Sequence, residues 1–243
     1  IISTNKGIYK SKLVFDSSLE KFEFNKNNLH QHFVGLEINC HKNVFKENEV
    51  ILMDIQEKEN EFNFLYVLPF SKNTALVEST YFSSNIFNKK VYIDDIKNYM
   101  HRKYNIKKFK INFTETGIIP MTRISNNKDK GIIKIGTAGN WVKMSSGYSL
   151  QNSFVYSKQI VDCIIKRKTP KIISKPLINF LDSTFCKYIL QNPKHAKYFF
   201  KSFFFKNSLA VLVRFLCNQS NIKEIINIIW KLPKIKILKV LFK

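Results

Sequence analysis

An abrupt change in hydrophobic period constrains this chain most. The first 82 residues carry apolar runs of strand length, at Gly7–Phe15, His32–Asn39, Val50–Ile55, Phe62–Pro69 and Thr74–Phe82. They are rich in β-branched and aromatic residues, and Asn- and Lys-rich turns separate them. From Lys175 onward the pattern is helical instead. Leu177–Leu190, His195–Lys206, Leu209–Cys217 and Ile222–Leu232 read as successive amphipathic helices, divided by Pro193, by Asn218 to Asn221 and by Pro233. Between the two regions, Asp94–Tyr104 reads as a helix with Ile96, Tyr99 and Met100 on one face. Phe109–Phe113 and Gly131–Ile135 read as strands, Gly136–Gly147 as a loop and Tyr148–Arg167 as a long helix. Strands followed by a loop and a helical tail imply a mixed α/β or α+β architecture.

Composition narrows the functional classes. The chain has 243 residues, enough for a substantial core. It is 44% hydrophobic, which argues against disorder. No uncharged apolar run approaches ~18 residues, so no membrane-spanning helix is expected. Cys40, Cys163, Cys186 and Cys217 show no CxxC pairing and read as buried thiols of a reducing compartment. The five histidines show no ligand spacing, so no metal site is expected. The chain opens at Ile1, without Met, inside strand-like sequence, and so reads as part of a longer protein.

The charge is uneven. From Gln151 onward stand eighteen Lys and Arg against three acids, so most of the net charge of +22 lies in that half. A basic, aromatic-rich half suits an anionic membrane surface or a nucleic acid, or simply a solvated lysine surface.

Three segments could carry chemistry. Glu78 interrupts the apolar strand Ala75–Thr80, where Leu76, Glu78 and Thr80 share a face. It faces solvent, a charged partner or a ligand cavity, and in an apolar cavity its pKa would rise and it could move a proton. The loop from Ile135 to Tyr148 holds three of the seven glycines, Gly136, Gly139 and Gly147, just before a helix. Such a loop can receive a phosphate or a flavin edge, or can be an ordinary connection capped by Ser145 or Ser146. No GxGxxG occurs in the chain. Thr116 to Met121 joins a strand to a turn, and its apolar residues line a cavity or belong to the core.

Taken in order, these and other segments resemble the lycopene cyclase family of flavin-dependent carotenoid enzymes. Val14-Phe15-Asp16-Ser17 resembles the family's FDSR element. Gln31 to Ile38 resembles "Q-x-F-x-G-W-E-V", and Ile51 to Asp54 resembles "LMDF". Phe64 to Phe70 followed by Ala75 to Thr80 resembles "F-x-Y-x-L-P" and the "L-x-E-E/D-T" cyclase motif. Glu115 to Met121 resembles "E-x-G-x-I-P-M". Gly136 to Tyr148 resembles the glycine-rich loop, and Leu212 to Leu216 with Leu232-Pro233 resembles the "RFL … LP" tail. The likeness runs from Val14 to the C-terminus. Ser18 stands where the family has Arg, Leu36 where it has Trp, Ser79 where it has a second acid, and Met144 where many members have Pro.

The resemblance implies an FAD/NAD(P)-binding, Rossmann-like flavoprotein fold that lacks its N-terminal βαβ here. Residues 1–18 and 112–168 would belong to the dinucleotide-binding domain, 19–111 to a β-sheet substrate domain and 169–243 to a helical C-terminal region. The activity implied is non-redox isomerisation, in which ionone rings close at the ends of lycopene or a related linear carotenoid by acid-catalysed carbocation chemistry. Reduced FAD would be the cofactor, with NAD(P)H as its possible reductant, and this chain alone would be inactive. By the same resemblance Glu78 is the catalytic carboxylate and Glu115 a weaker second candidate. Asp16, Gly136, Ala138, Gly139, Ser146, Gly147 and Tyr148 would meet the flavin, and Phe64, Tyr66, Glu115 and Met121 would line the substrate. A carotenoid enzyme implies a cytoplasmic protein on the inner membrane surface, with no nucleic-acid partner. The rival readings are another flavin-dependent isoprenoid enzyme, such as a geranylgeranyl reductase or monooxygenase-like relative, and a basic membrane-binding module.

Overall fold

The computed structural model describes residues 1–19, 27–124, 131–170 and 175–233. Its centre is an antiparallel sheet of five strands in the order β5-β6-β7-β4-β8. These are β4 (His30–Asn39), β5 (Ile51–Gln56), β6 (Phe62–Pro69), β7 (Thr74–Ser83) and β8 (Lys110–Pro120). Before them, β1 (Ile2–Thr4) and β2 (Gly7–Tyr9) form a hairpin. The short strand β3 (Val14–Asp16) pairs in parallel with β9 (Ile132–Lys134). The single run expected at Gly7–Phe15 is therefore two strands in different sheets.

Both faces of the large sheet are covered, and the two-residue period of its strands sorts side chains between them. On one face Val34, Leu36, Ile38, Leu65, Val67, Val77 and Tyr81 pack against Tyr92, Ile96, Tyr99 and Met100 of helix α1 (Lys89–Tyr104). Asn88 caps that helix by accepting the Lys90 amide, and Asn105 closes it in the left-handed conformation. The helix begins five residues before the expected Asp94, because two exposed lysines disguise its first turn. Tyr81 donates to Asp95 and Tyr99 to Asp54 at 2.8 Å, fixing the helix to the sheet.

The opposite face carries Phe62, Phe64 and Phe82, which meet the C-terminal helices. These are α3 (Pro176–Gln191), α4 (Ala196–Phe205), α5 (Leu209–Leu216) and α6 (Ile222–Lys231), preceded by α2 (Leu150–Ile165). Phe200 stacks on Phe62 with ring centroids 4.8 Å apart, and Phe185 and Phe199 extend the aromatic layer. Pro176 opens α3 at its first turn, where a missing amide costs nothing. Asn221 and Glu224 form a reciprocal capping box on α6. The expected C-terminal helices are thus present. Residues 234–243, with the remaining basic charge of the tail, lie outside the described residues.

Two further boundaries differ from expectation. Thr116 to Pro120 continues β8 rather than entering a turn. The ten residues of β4 offer it a partner along their whole length, with one register shift at Glu37/Ile38. The sheet therefore runs past position 111, where the substrate domain was expected to end. Helix α2 starts at Leu150, two residues after Tyr148.

A buried ion pair ties the glycine loop to the helices. Lys143 is fully buried and donates to both Asp182 oxygens, at 2.8 and 3.0 Å, and to Asn218 Oδ1 at 3.0 Å. Its ammonium also lies 4.5 Å from the centroid of the Phe215 ring. Asn218 donates to Asn152, which donates to the Trp141 carbonyl. One lysine thus joins the loop to α3 and to the α5–α6 turn. Removing one partner of a buried pair strands the other charge, which costs about 3–5 kcal/mol, whereas replacing both with apolar residues can be near neutral. We expect Asp182→Ala to lower unfolding free energy by that amount in chemical denaturation, and Lys143→Met with Asp182→Leu to recover most of it. A small loss in the single variant would show that the pair does not hold the helices.

Candidate active site

Where the helices cross the sheet they leave a cavity of about 900 Å³. Its floor is Phe64, Tyr66, Glu78 and Phe82, with Gln31 at one side. Ser145, Ser146 and Tyr148 of the loop form a second wall. Phe185, Phe199, Phe200, Phe203, Phe215 and Trp230 supply much of the helical roof. The wall holds two acids, Glu78 and Asp182, and Asp182 is paired with Lys143. Glu78 has no cationic partner among the described residues.

Glu78 reaches the cavity because alternate residues of β7 face that side of the sheet, and of these Glu78 and Phe82 line it. Tyr66 stands opposite it on β6, and Gly35 stands opposite it on β4. Its carboxyl is pushed from the ordinary 4.5 up to about 7, first by burial. The Thr80 hydroxyl donates to it and opposes that rise, while the negative charge of Glu115 adds to it. A carboxyl poised near neutrality can give and take a proton. Burial also raises the Tyr66 phenol, and Glu78 and Glu115 push it further.

The expected site residues separate into three groups. Glu78, Phe64, Tyr66, Ser146 and Tyr148 share the cavity wall. Asp16, Gly136, Ala138 and Gly139 lie at the far end of the loop. Asp16 accepts from Lys134 at 2.8 Å and from Ser18, and these bonds hold its carboxyl down at about 2. Its carbonyl accepts the Ile135 amide where the loop begins. Gly147, at φ +71°, presses on Gln31, so that a β-carbon there would meet Gln31 Oε1 at 2.2 Å. The third group is not on the wall. Met121 is buried among Leu29, Phe62 and their neighbours in the core, because β8 runs straight on to Pro120. Glu115 leans over Gly35 instead of facing the void.

The loop offers places for a flat, polar cofactor edge. Gly136 is left-handed at φ +59°, and the space above its α-carbon is open. Gln31 Oε1, Ser145 Oγ and Trp141 Nε1 are buried without a hydrogen-bond partner among the described residues. Buried polar atoms rarely stay unpaired, so these suit a polar ligand atom. Their environment is compatible with a flavin ring. Other amides of the loop are already used, since Gly139, Asn140, Trp141, Ser146 and Gly147 all donate to carbonyls within it. Gln31 and Ser145 escaped the sequence reading as ligand contacts, because only the structure shows that their atoms are orphaned. Among the described residues no cluster of His, Cys, Asp or Glu could hold a metal, and no helix is long and apolar enough to cross a membrane.

A family model described as lycopene cyclase protein matches residues 2–242. No curated protein matches the sequence. Among solved structures, the chain is similar to a geranylgeranyl bacteriochlorophyll reductase-like protein from Thermoplasma acidophilum. The TM-score is 0.54 at 13% identity, covering 96% of this chain and 62% of that one. The chain thus spans less than two thirds of that protein's length, and the likeness concerns the fold. A flavin-dependent brominase triple mutant gives a TM-score of 0.45 at 13% identity, covering 90% of this chain and 61% of that one.

The raised pKa of Glu78 has a consequence for stability. Below pH 4.5 the group is protonated whether the chain is folded or unfolded, and its contribution is fully present. As pH rises through about 7 that contribution is lost, because the folded protein must then ionise a buried acid. The loss amounts to roughly 3 kcal/mol. Glu78→Gln removes it. We expect the variant's stability relative to wild type to rise between pH 4.5 and pH 8 by up to that amount, measured by urea unfolding. A difference between the two proteins that is the same at both pH values would mean that Glu78 is not held protonated.

Proposed function

The chain belongs to the lycopene cyclase family, and on that premise we propose that it closes six-membered end rings on a linear carotenoid. The observation that carries this reading is the Glu78 carboxyl, without a cationic partner among the described residues, in a cavity walled by aromatic rings. In the proposed reaction Glu78 gives its proton to the terminal double bond of the substrate. The resulting cation is attacked by the neighbouring double bond, a carbon–carbon bond closes the ring, and a proton then passes from carbon back to the Glu78 carboxylate, which restores the acid. Atoms and electrons balance, so the step is an isomerisation.

A carbocation needs negative charge nearby and must be kept from water. Glu78, once deprotonated, supplies the charge. Phe64, Phe82 and Tyr66 turn rings toward the same space and add cation–π attraction. The apolar roof of α3 to α6 covers the helical side of that space. Reduced FAD, when bound, would add an electron-rich ring to stabilise the cation, with NAD(P)H as the source of its electrons. On this reading Gln31, Ser145 and Gly147, beside the cavity, would hold its ring edge. The amides of Gly139, Asn140, Trp141, Ser146 and Gly147 are spent within the loop, so none of them is assigned to the pyrophosphate.

The substrate dissolves in membranes, so we place the enzyme at the cytoplasmic membrane surface. Ile226, Ile229 and Trp230 both line the cavity and face outward, Trp230 with 72% exposure, among the lysines of the basic half. Cosedimentation with anionic vesicles at low salt, weakened at high salt, is the expected behaviour. Failure to sediment at low salt would remove the membrane assignment.

The decisive experiment expresses the chain, joined to a dinucleotide-binding segment, in a lycopene-accumulating bacterial host and separates the pigments. Cyclic carotenoids should appear. Glu78→Gln and Glu78→Ala should lower their yield at least ~100-fold, the scale of a lost general acid, with flavin still bound. Unchanged lycopene in a folded, flavin-loaded protein would overturn the proposal.

A further inference from the structure

The row that carries Glu78 contains a second acid that the cavity wall does not use. Gly35 on β4 stands opposite Glu78 on β7 and, on its other side, opposite Glu115 on β8. Residues directly opposite on neighbouring strands share a face. Glu78 and Glu115 are therefore two strand spacings apart, about 9–10 Å between α-carbons, with no side chain on the residue between them. Glu115 leans into that gap, which it shares with the end of the Leu76 side chain. A β-carbon at position 35 would lie 2.8 Å from both Cγ and Oε1 of Glu115. Gly35 is not among the glycines in the left-handed region, so position 35 needs glycine for space and not for conformation.

We propose that Glu115 is a positioning residue for the proton of Glu78. Leaning through the gap at Gly35, its carboxylate disfavours a second negative charge in the row and keeps that proton in place until substrate takes it. Like charges that share a site cannot both ionise freely. Tyr66, next in the same row, feels both acids. The other groups around Glu78 do not replace this effect. The Thr80 hydroxyl on its own strand favours the ionised form. Asp182, from α3, is neutralised by Lys143. Glu37, two residues along β4, accepts from Asn112 at 3.1 Å, and Tyr148 enters from the loop. Glu115 touches neither the cavity nor its contents, so it acts only through Glu78.

The relevance to catalysis rests on Glu78 being the proton donor, but the coupling can be measured without substrate. The protein would carry carboxyl-labelled glutamate, with the Glu78 resonance assigned by its disappearance in E78Q, and would be titrated by carbon NMR. Wild type should titrate near pH 7. E115Q should titrate lower by roughly half a pH unit, the scale of a like charge at this separation in an intermediate dielectric. E115D should recover part of the shift. G35A, which displaces Glu115, should move the midpoint in the same direction as E115Q. If G35A does not fold, E115Q decides alone, because Glu115 is half-exposed at the sheet edge. An unmoved midpoint in folded E115Q would overturn the proposal. A protein that makes no cyclic product fails the functional reading and leaves this one to stand or fall on the midpoint.

Discussion

The two-residue period of a sheet buried on both faces governs this molecule. In β6 and β7 alternate side chains must satisfy two different partners. Leu65, Val67, Val77 and Tyr81 belong to the layer under α1, while Phe62, Phe64, Tyr66, Glu78 and Phe82 belong to the layer under the C-terminal helices. A slip of one residue would exchange the sets and expose the core. The same alternation carries Glu78 into the aromatic layer, where a carboxyl resists ionisation. The acid and its hydrophobic surroundings are therefore one consequence of register.

The second organising element is Lys143. A fully buried ammonium must be matched, and its partners come from α3 and from the turn before α6. The pair sits between the glycine loop and the helices, so the loop wall and the helical roof of the cavity share one anchor. It also removes Asp182 as a free charge. That leaves Glu78 as the one acid on the cavity wall without a cationic partner among the described residues, and separates an acid that fixes structure from one that can move a proton. Environment alone sets the difference between them, as it does for paired carboxyls generally.

Much of this was legible in the chain itself. The strand runs, the amphipathic helices, the glycine loop and the odd acid in Ala75–Thr80 all follow from local period and residue type. Family membership was also legible in the ordered motifs, and a model of that family matches residues 2–242. Local pattern misled most clearly in β8 and α1. Thr116 to Pro120 looked like a turn because Gly117 and Pro120 punctuate it, yet β4 gives it a full-length partner. The start of α1 was hidden by Lys89 and Lys90, because the cap that marks it is an asparagine among other asparagines.

The sequence by itself determined which residues could be strand or helix, and that a single carboxylate interrupted an apolar strand. It could not decide what stood beside that carboxylate, because cross-strand neighbours are fixed by pairing between segments dozens of residues apart. Only the tertiary structure set Gly35 between Glu78 and Glu115, withdrew Glu115 and Met121 from the cavity wall, and buried Lys143 against Asp182. These are long-range contacts whose energies depend on desolvation, and desolvation exists only once the layers have closed.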